Sequence, residues 1–160
     1  MPYRAPLSEF ALLLDVVGFA EVAATERFAD ASPDTVAAIL AEAGKLCETT
    51  LAPLNRAGDK TPARLENGVV RTPPGFADGY RAIAEGGWIG MAASPEYGGM
   101  GLPMSVATCV NDMMGSACLA LQLNPLMTQG QIEALEHHAS DALKNLYIPP
   151  SWCRANGAAR

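Results

Sequence analysis

The chain of 160 residues has little charge and few aromatic side chains. Charged residues make up 18% of it and aromatic residues 6%, whereas charged residues average ~25% in soluble domains. Basic residues are the scarcer kind, since 11 Lys and Arg stand against 17 Asp and Glu and give a net charge of −6. Nucleic-acid-binding domains carry clustered positive charge, and an acidic chain is repelled by anionic lipid. The composition therefore argues against a nucleic-acid or a membrane partner.

Long apolar runs and clustered cysteines are also missing. Asp15 interrupts the apolar run at residues 10–14, which is too short for a secretion signal or a membrane span. The cysteines form no C-x-x-C pair and no short cluster with histidine, so a zinc site has little support. We expect small apolar side chains on helices rather than a disulfide framework, and a cytoplasmic protein. The four cysteines are Cys47, Cys109, Cys118 and Cys153.

Hydrophobic residues make up 49% of the chain, and most fall at helical spacing. Ser32 followed by Pro33 is typical of a helix start, and the apolar spacing continues from there to about residue 54. Residues 55–73 are rich in Gly, Pro and Asn and predict a change of structure. Within them, Asn67-Gly68 predicts a small two-stranded hairpin near residues 65–71. A first apolar stripe is predicted at Phe10, Leu13, Leu14 and Val17.

The second half of the chain predicts further helices. The segment after Pro103 holds one charge, Asp112, so it predicts a mostly buried helix to about residue 123. Pro125 predicts a break, with another helix over about 128–138. A last short helix is expected to stop at Pro149-Pro150. The predicted fold class is therefore all-α, an up-and-down helical bundle with the possible hairpin at 65–71.

Three features have both a structural and a chemical interpretation. The glycines at residues 98–101 fit neither G-x-G-x-x-G nor a P-loop, so they favour a tight helix connection with positive φ. His137, Glu133 and Asp141 have the spacing of one helix face, but a solvated charged face is favoured over a metal site. The methionines favour core packing or the wall of a pocket for an apolar ligand, and their spacing does not choose. They are Met100, Met104, Met113, Met114 and Met127.

Four segments in order resemble the amino-terminal helical domain of acyl-CoA dehydrogenases. They are Glu-Asn-Gly-Val-Val at 66–70, Pro-Pro-Gly-Phe at 73–76, Gly-Gly-Trp-Ile-Gly at 86–90 and Pro-Glu-Tyr-Gly-Gly-Met-Gly-Leu at 95–102. The resemblance covers residues 3–149. The opening residues and the Glu-Asn-Gly-Val segment are similar to a subgroup with an amino-terminal extension, which includes enzymes similar to 3-methylmercaptopropionyl-CoA dehydrogenase.

The resemblance implies a flavoenzyme that uses FAD to desaturate an acyl-CoA, passes electrons to an electron-transfer flavoprotein and forms a homo-oligomer. In that family a glutamate from a later domain removes the α-proton, and the chemistry of hydride transfer belongs to the cofactor. No catalytic, flavin-binding or metal-binding residue can be assigned to this chain. The resemblance implies a wall for the acyl chain at Leu119, Ala120, Leu123 and Met127, for which ordinary core packing is the alternative.

The resemblance also divides the chain into an amino-terminal helical extension at residues 1–31, the family's helical domain at 32–149 and a tail at 150–160 that departs from the family. In a shifted frame, codons permitted by residues 151–160 spell Leu-Val-Ser-Gly-Glu-Trp, as family members continue. We therefore expect an out-of-frame tail, with a disordered tail on a naturally short protein as the alternative.

The predicted function is that of a truncated acyl-CoA dehydrogenase, without the β-domain and the last helical bundle. Such a fragment is expected to be inactive alone and to bind no FAD. The alternative is a standalone helical interaction module without catalysis.

Overall fold

A computed structural model describes residues 2–153, with side chains described through residue 149. The sequence predicts that residues 150–160 are read out of frame, and the side chains of that segment lie outside the described residues. The helices are α1 Leu7–Val16, α2 Phe19–Ala23, α3 Pro33–Leu46, α4 Ala52–Lys60, α5 Phe76–Glu85, α6 Met104–His138 and α7 Asp141–Cys153. A π turn at Cys47–Leu51 joins α3 to α4. Short 3₁₀ turns lie at Glu26–Phe28, Trp88–Gly90 and Pro95–Tyr97. The strands are β1 Arg64–Glu66 and β2 Val69–Arg71.

The predicted all-α class is confirmed, because the two strands form only an antiparallel hairpin beside the helices. Asn67 and Gly68 both have positive φ, 52° and 77°, as a two-residue hairpin turn requires. Leu65 lies opposite Val70 in the register. The predicted hairpin at 65–71 is therefore confirmed, and it lies exposed on the surface.

The long helix begins where the sequence indicates and ends later than predicted. The Ser32 hydroxyl accepts a hydrogen bond from the Thr35 amide at 3.2 Å, which confirms the cap. Helical structure continues through the π turn to Lys60, past residue 54. Gly58 allows this continuation to pack tightly, since a Cβ there would lie 2.9 Å from the ring of Phe76. Packing against α5 thus overrides the Gly and Asn content of residues 55–60.

The stripe predicted on α1 is half wrong. Phe10 and Leu14 are buried, whereas Leu13 is 52% exposed and Val17 is 66% exposed. The short helix packs mainly against α2 and α3, and of its described residues only Phe10 and Leu14 are buried. The buried pair joins the same core as α3 and α6, so α1 packs directly on the bundle.

Helix α6 bends at Cys118 rather than breaking at Pro125. The φ and ψ of Cys118, −156° and 85°, are not helical, while Pro125 lies inside the helix. Asn111 and Gln129 are 18 positions apart and yet share a hydrogen bond of 2.8 Å. A straight helix would separate them by about 27 Å. The helix therefore folds back on itself, and we call residues 104–117 the first arm and residues 119–138 the second arm.

Two further expectations about these helices meet the structure differently. The first arm is largely buried, as predicted, with Val106, Val110 and Met113 at 0% exposure. Helix α7 runs through Pro149 and Pro150, so the predicted stop there is wrong.

Helix α6 is long and apolar enough to cross a membrane, but half of its most apolar window is buried inside the structure. A mostly covered core helix passes the same test of length and composition.

The amino-terminal segment before α1 is tied to the bundle at two points. The Tyr3 hydroxyl donates to the Met113 carbonyl at 3.1 Å. The Ala5 amide donates to the Glu48 carboxylate at 2.9 Å. Burial raises the pKa of the Tyr3 phenol to about 12, and nearby Cys47 and Asp112 act in the same direction. Burial against the first arm thus moves the ionisation of this phenol to higher pH.

Tyr3→Phe is expected to lower the free energy of unfolding by about 1 kcal/mol at neutral pH, because one hydrogen bond is lost. The difference should shrink as the pH rises from 10.0 toward about 12, since the unfolded phenol ionises first. The raised folded pKa stabilises the protein below that window and loses its effect through it. Urea denaturation of both proteins at neutral pH and near pH 11 measures this. A difference independent of pH would contradict it.

Candidate functional site

The second arm carries an exposed apolar face, which we call the outer face and define as Leu119, Ala120, Leu123, Leu126 and Met127. These positions recur at helical spacing and therefore share one side of the arm. Leu119 is 60% exposed, Leu123 is 52% exposed and Met127 is 69% exposed. All four residues predicted for the acyl wall lie on this face, and all four are exposed in this chain. Leu126, 45% exposed, was missed although its spacing places it there.

A cavity of about 450 Å³ lies between the two arms and the segment that follows α5. Its apolar walls include Ile89, Ala107 and Ile132, and its polar walls include Asn111 and Gln129. Leu126 belongs both to this cavity and to the outer face. The residues predicted for the acyl wall do not line the cavity. The exposed outer face and the partly polar cavity therefore lie on the same arm and share only Leu126.

Three side-chain amides connect the arms in sequence. Gln122 Nε2 donates to Asn111 Oδ1 at 2.7 Å, and Asn111 Nδ2 donates to Gln129 Oε1 at 2.8 Å. Gln129 Nε2 then donates to the Trp88 carbonyl at 3.3 Å. We call this set the amide chain. Sequence analysis missed it, although an uncharged polar residue within an apolar helix, such as Gln122, is a signal for a buried hydrogen bond.

The glycine loop at residues 98–101 is closed by its own backbone. The amides of Gly99 and Gly101 donate to the carbonyls of Ser94 and Ala93, at 3.0 Å and 2.9 Å. Gly98 and Gly101 have φ values of 88° and 63°, which confirms the predicted positive φ. The Ser94 amide in turn donates to Glu136 at 2.8 Å and ties the loop to the second arm. The loop is a structural connection.

The glycine loop at residues 98–101 does not fit a flavin pyrophosphate. A pyrophosphate needs free backbone amides or basic side chains around it. The amides from Gly98 to Leu102 are all donated to carbonyls of residues 90–95. We therefore assign no flavin contact and derive no chemical step through the cofactor.

The remaining candidate residues form no cluster in the described part of the chain. Glu133 and His137 both line the cavity, but no three His, Cys, Asp or Glu residues among those described come together as metal ligands. Cys47, Cys109 and Cys118 are buried free thiols, as predicted, and the side chain of Cys153 lies outside the described residues. Burial raises the pKa of Cys47 to about 12 and also raises that of Cys109.

Core packing, one of the two interpretations that the sequence left open, describes two of the five methionines. Met113 and Met114 lie in the core, at 0% and 1% exposure. Met100, Met104 and Met127 are exposed by 44%, 55% and 69%. Met104 also lines the cavity. Met113 and Met114 therefore fill the core, whereas Met104 at the start of the first arm and Met127 on the second arm are exposed at the surface.

Comparison with known families identifies the class of protein. The family described as "Acyl-CoA dehydrogenase, N-terminal domain" matches residues 32–152. The helical bundle with its small hairpin agrees with that match, so the chain belongs to the acyl-CoA dehydrogenase family.

A curated relative narrows the similarity further. The chain is 35% identical over 149 residues to 3-methylmercaptopropionyl-CoA dehydrogenase from Ruegeria pomeroyi. The alignment includes 92% of this chain and 25% of the relative. The chain thus spans a quarter of the length of the relative that it matches. This match confirms the predicted resemblance to the subgroup.

Proposed function

We propose that the chain forms the amino-terminal helical domain of an FAD-dependent acyl-CoA dehydrogenase. Such an enzyme converts an acyl-CoA thioester to the 2,3-enoyl-CoA. The family match supports the domain, and the relative supports an acyl-CoA substrate class. We place residues 1–31 as an extension and residues 32–149 as the family's domain. No residue of this chain is assigned to the transfer of a proton or hydride.

The outer face carries the proposal, because it gives this domain a role in substrate binding. Leu119, Leu123 and Met127 present large apolar side chains to the surface on one side of a rigid helix. A contiguous apolar surface of this kind marks a binding or interaction site. Ala120 is a small, exposed residue on the same side of the arm. We propose that Leu119, Ala120, Leu123 and Met127 form one wall of the acyl pocket.

The same proposal gives the chain alone no activity. The closed glycine loop supplies no amides for a flavin. We propose that FAD and the catalytic base belong to the other domains of the full-length enzyme. An electron-transfer flavoprotein would accept the electrons, and the assembly would be a cytoplasmic homo-oligomer without a nucleic-acid or membrane partner.

The purified chain is expected to show no flavin absorbance and no acyl-CoA-dependent dye reduction, with a straight-chain acyl-CoA or 3-methylmercaptopropionyl-CoA as substrate.

The mass of the purified chain in light scattering should rise with concentration, because the outer face is uncovered. Leu123→Lys should reduce that association, since it places a charge on the face. Leu65→Lys is the matched control, because Leu65 is 73% exposed on the hairpin and lies outside the outer face.

Dye reduction by the isolated chain would contradict its predicted inactivity. A dimer of fixed mass at all concentrations would instead support the alternative, a standalone helical interaction module. The exposed residues of α1, including Leu12 at 63% and Val16 at 73%, offer such a module a second surface. Equal effects of Leu123→Lys and Leu65→Lys would contradict a special role for the outer face.

A further inference from the structure

The amide chain crosses between the arms twice and then reaches a third element. Gln122 lies four residues after the bend at Cys118, and its amide reaches back to Asn111 on the first arm. Asn111 then reaches Gln129, two helical turns further along the second arm. Gln129 contacts the Trp88 carbonyl, which belongs to the segment after α5. One continuous path of donors thus joins both arms to a third element.

The head of this path is a buried side chain with an open acceptor. Gln122 is 3% exposed, the only buried polar or charged residue among those described. Its Oε1 is the one described buried side-chain atom of its kind without a hydrogen-bond partner. An unpaired buried oxygen costs about 1–3 kcal/mol. The glutamine that starts the path therefore lowers the stability of the fold through its unpaired oxygen, which points to a role for the path other than stability.

We propose that Gln122 is a positioning residue, which sets through Asn111 and Gln129 how the second arm lies on the first arm. Leu119, Leu123 and Leu126 lie within one helical turn of Gln122, so the orientation of the arm fixes the orientation of the outer face. The importance of that face rests on the proposed function, whereas the positioning role is a property of the chain itself. Buried polar contacts of this kind specify one register among several that apolar packing permits.

The direction of the donors makes the path cooperative. An amide that accepts a hydrogen bond at its oxygen becomes a stronger donor at its nitrogen. Gln122 donates to Asn111, so its loss weakens the donation of Asn111 to Gln129 and then that of Gln129 to Trp88. Gln122 has no hydrogen bond with Gln129. An effect of Gln122 on the Gln129 amide therefore reports the path itself.

Gln122→Met in the full chain tests this, because methionine keeps the volume and removes both amide atoms. The exchange of the Gln129 side-chain amide protons, measured by NMR, should become about 1.2- to 1.7-fold faster, because cooperativity strengthens each hydrogen bond by about 10–30% of its net contribution. The nuclear Overhauser contacts between the side chains of Asn111 and Gln129 should weaken. The free energy of unfolding should change little, since the variant removes the unpaired Gln122 oxygen but leaves Oδ1 of the half-buried Asn111 without its donor.

Gln131→Met is the matched control, because Gln131 is exposed on the same arm and is outside the amide chain. It should leave the Gln129 protons unchanged. Unchanged Gln129 exchange and unchanged contacts in Gln122→Met would overturn the positioning role. These signals are read without acyl-CoA or flavin, so that failure leaves the proposed function untouched. Failure of the acyl-CoA dehydrogenase proposal would likewise leave the NMR result standing.

Discussion

Gly99→Ala is expected to lower the free energy of unfolding by about 3 kcal/mol, at the upper end of overpacking effects. A Cβ on Gly99 would overlap the carbonyl oxygen of Ala93 and would lie 2.7 Å from the Ala93 Cβ. Ala93 cannot retreat easily, because its carbonyl accepts the Gly101 amide. The obstacle is backbone rather than a flexible side chain. The substitution should therefore open the loop that ties the second arm to the segment after α5.

Gly130→Ala provides the matched control within the second arm. Gly130 has helical surroundings, and a Cβ there would meet nothing within 4 Å. Alanine should raise the free energy of unfolding by about 0.5–1 kcal/mol through helix propensity. Urea denaturation, followed by circular dichroism, measures both variants. A Gly99→Ala protein as stable as the parent would contradict the tight contact with Ala93.

Leu121→Ala is expected to lower the free energy of unfolding by about 3 kcal/mol, the cost of a cavity in a packed core. Leu121 is 6% exposed, and one of its methyl groups lies 2.9 Å from where a Cβ on Gly79 would stand. Leu123→Ala, two residues along the same arm, should change stability by about 0.5 kcal/mol or less, as exposed sites do. Urea denaturation of the two variants measures the contrast.

The contrast between Leu121 and Leu123 also tests the outer face. Both are leucines of one helix, and they differ in the side of the arm that they occupy. Equal losses of stability would mean that Leu123 is covered in solution, which contradicts the exposure on which the acyl-wall proposal depends. A loss of stability in Leu121→Ala alone would support a domain in which Leu121 belongs to the core and the outer face is uncovered.

The elements that local chemistry determines were predictable from the sequence. The Ser32 cap acts within one turn of helix, and the Asn67-Gly68 turn needs only its own two positive φ values. The positive φ of Gly98 and Gly101 also follows from residue type. Each of these features depends on neighbours within a few positions. For that reason a single sequence is enough to find them.

The fold-back of α6 was not predictable in the same way. Cys118, where the chain leaves helical geometry, is neither a glycine nor a proline. Pro125, which predicts a break, lies inside the helix because tertiary packing supports it there. The hydrogen bond between Asn111 and Gln129 depends on contact across the fold-back rather than on spacing. Long-range packing therefore decided the position of the bend.

The candidate site was half predictable for the same reason. The outer face follows from helical spacing and from the resemblance, so its four predicted residues fall on one side of one arm. The cavity and the amide chain require both arms and Trp88, which are distant in sequence. The stripe on α1 failed similarly, since no described element covers more than half of the Leu13 or Val17 side chain. Periodicity gives a helix its apolar side but does not supply the partner.

The hairpin of β1 and β2 offers a practical handle on the molecule. Its turn projects into open space, because a Cβ on Gly68 would meet nothing within 4 Å, and both strands are exposed throughout. Loop tips of this kind accept inserted sequence with little disturbance of the core. A reporter peptide placed between Asn67 and Gly68 would anchor the chain to a sensor surface while the outer face stays open to solution.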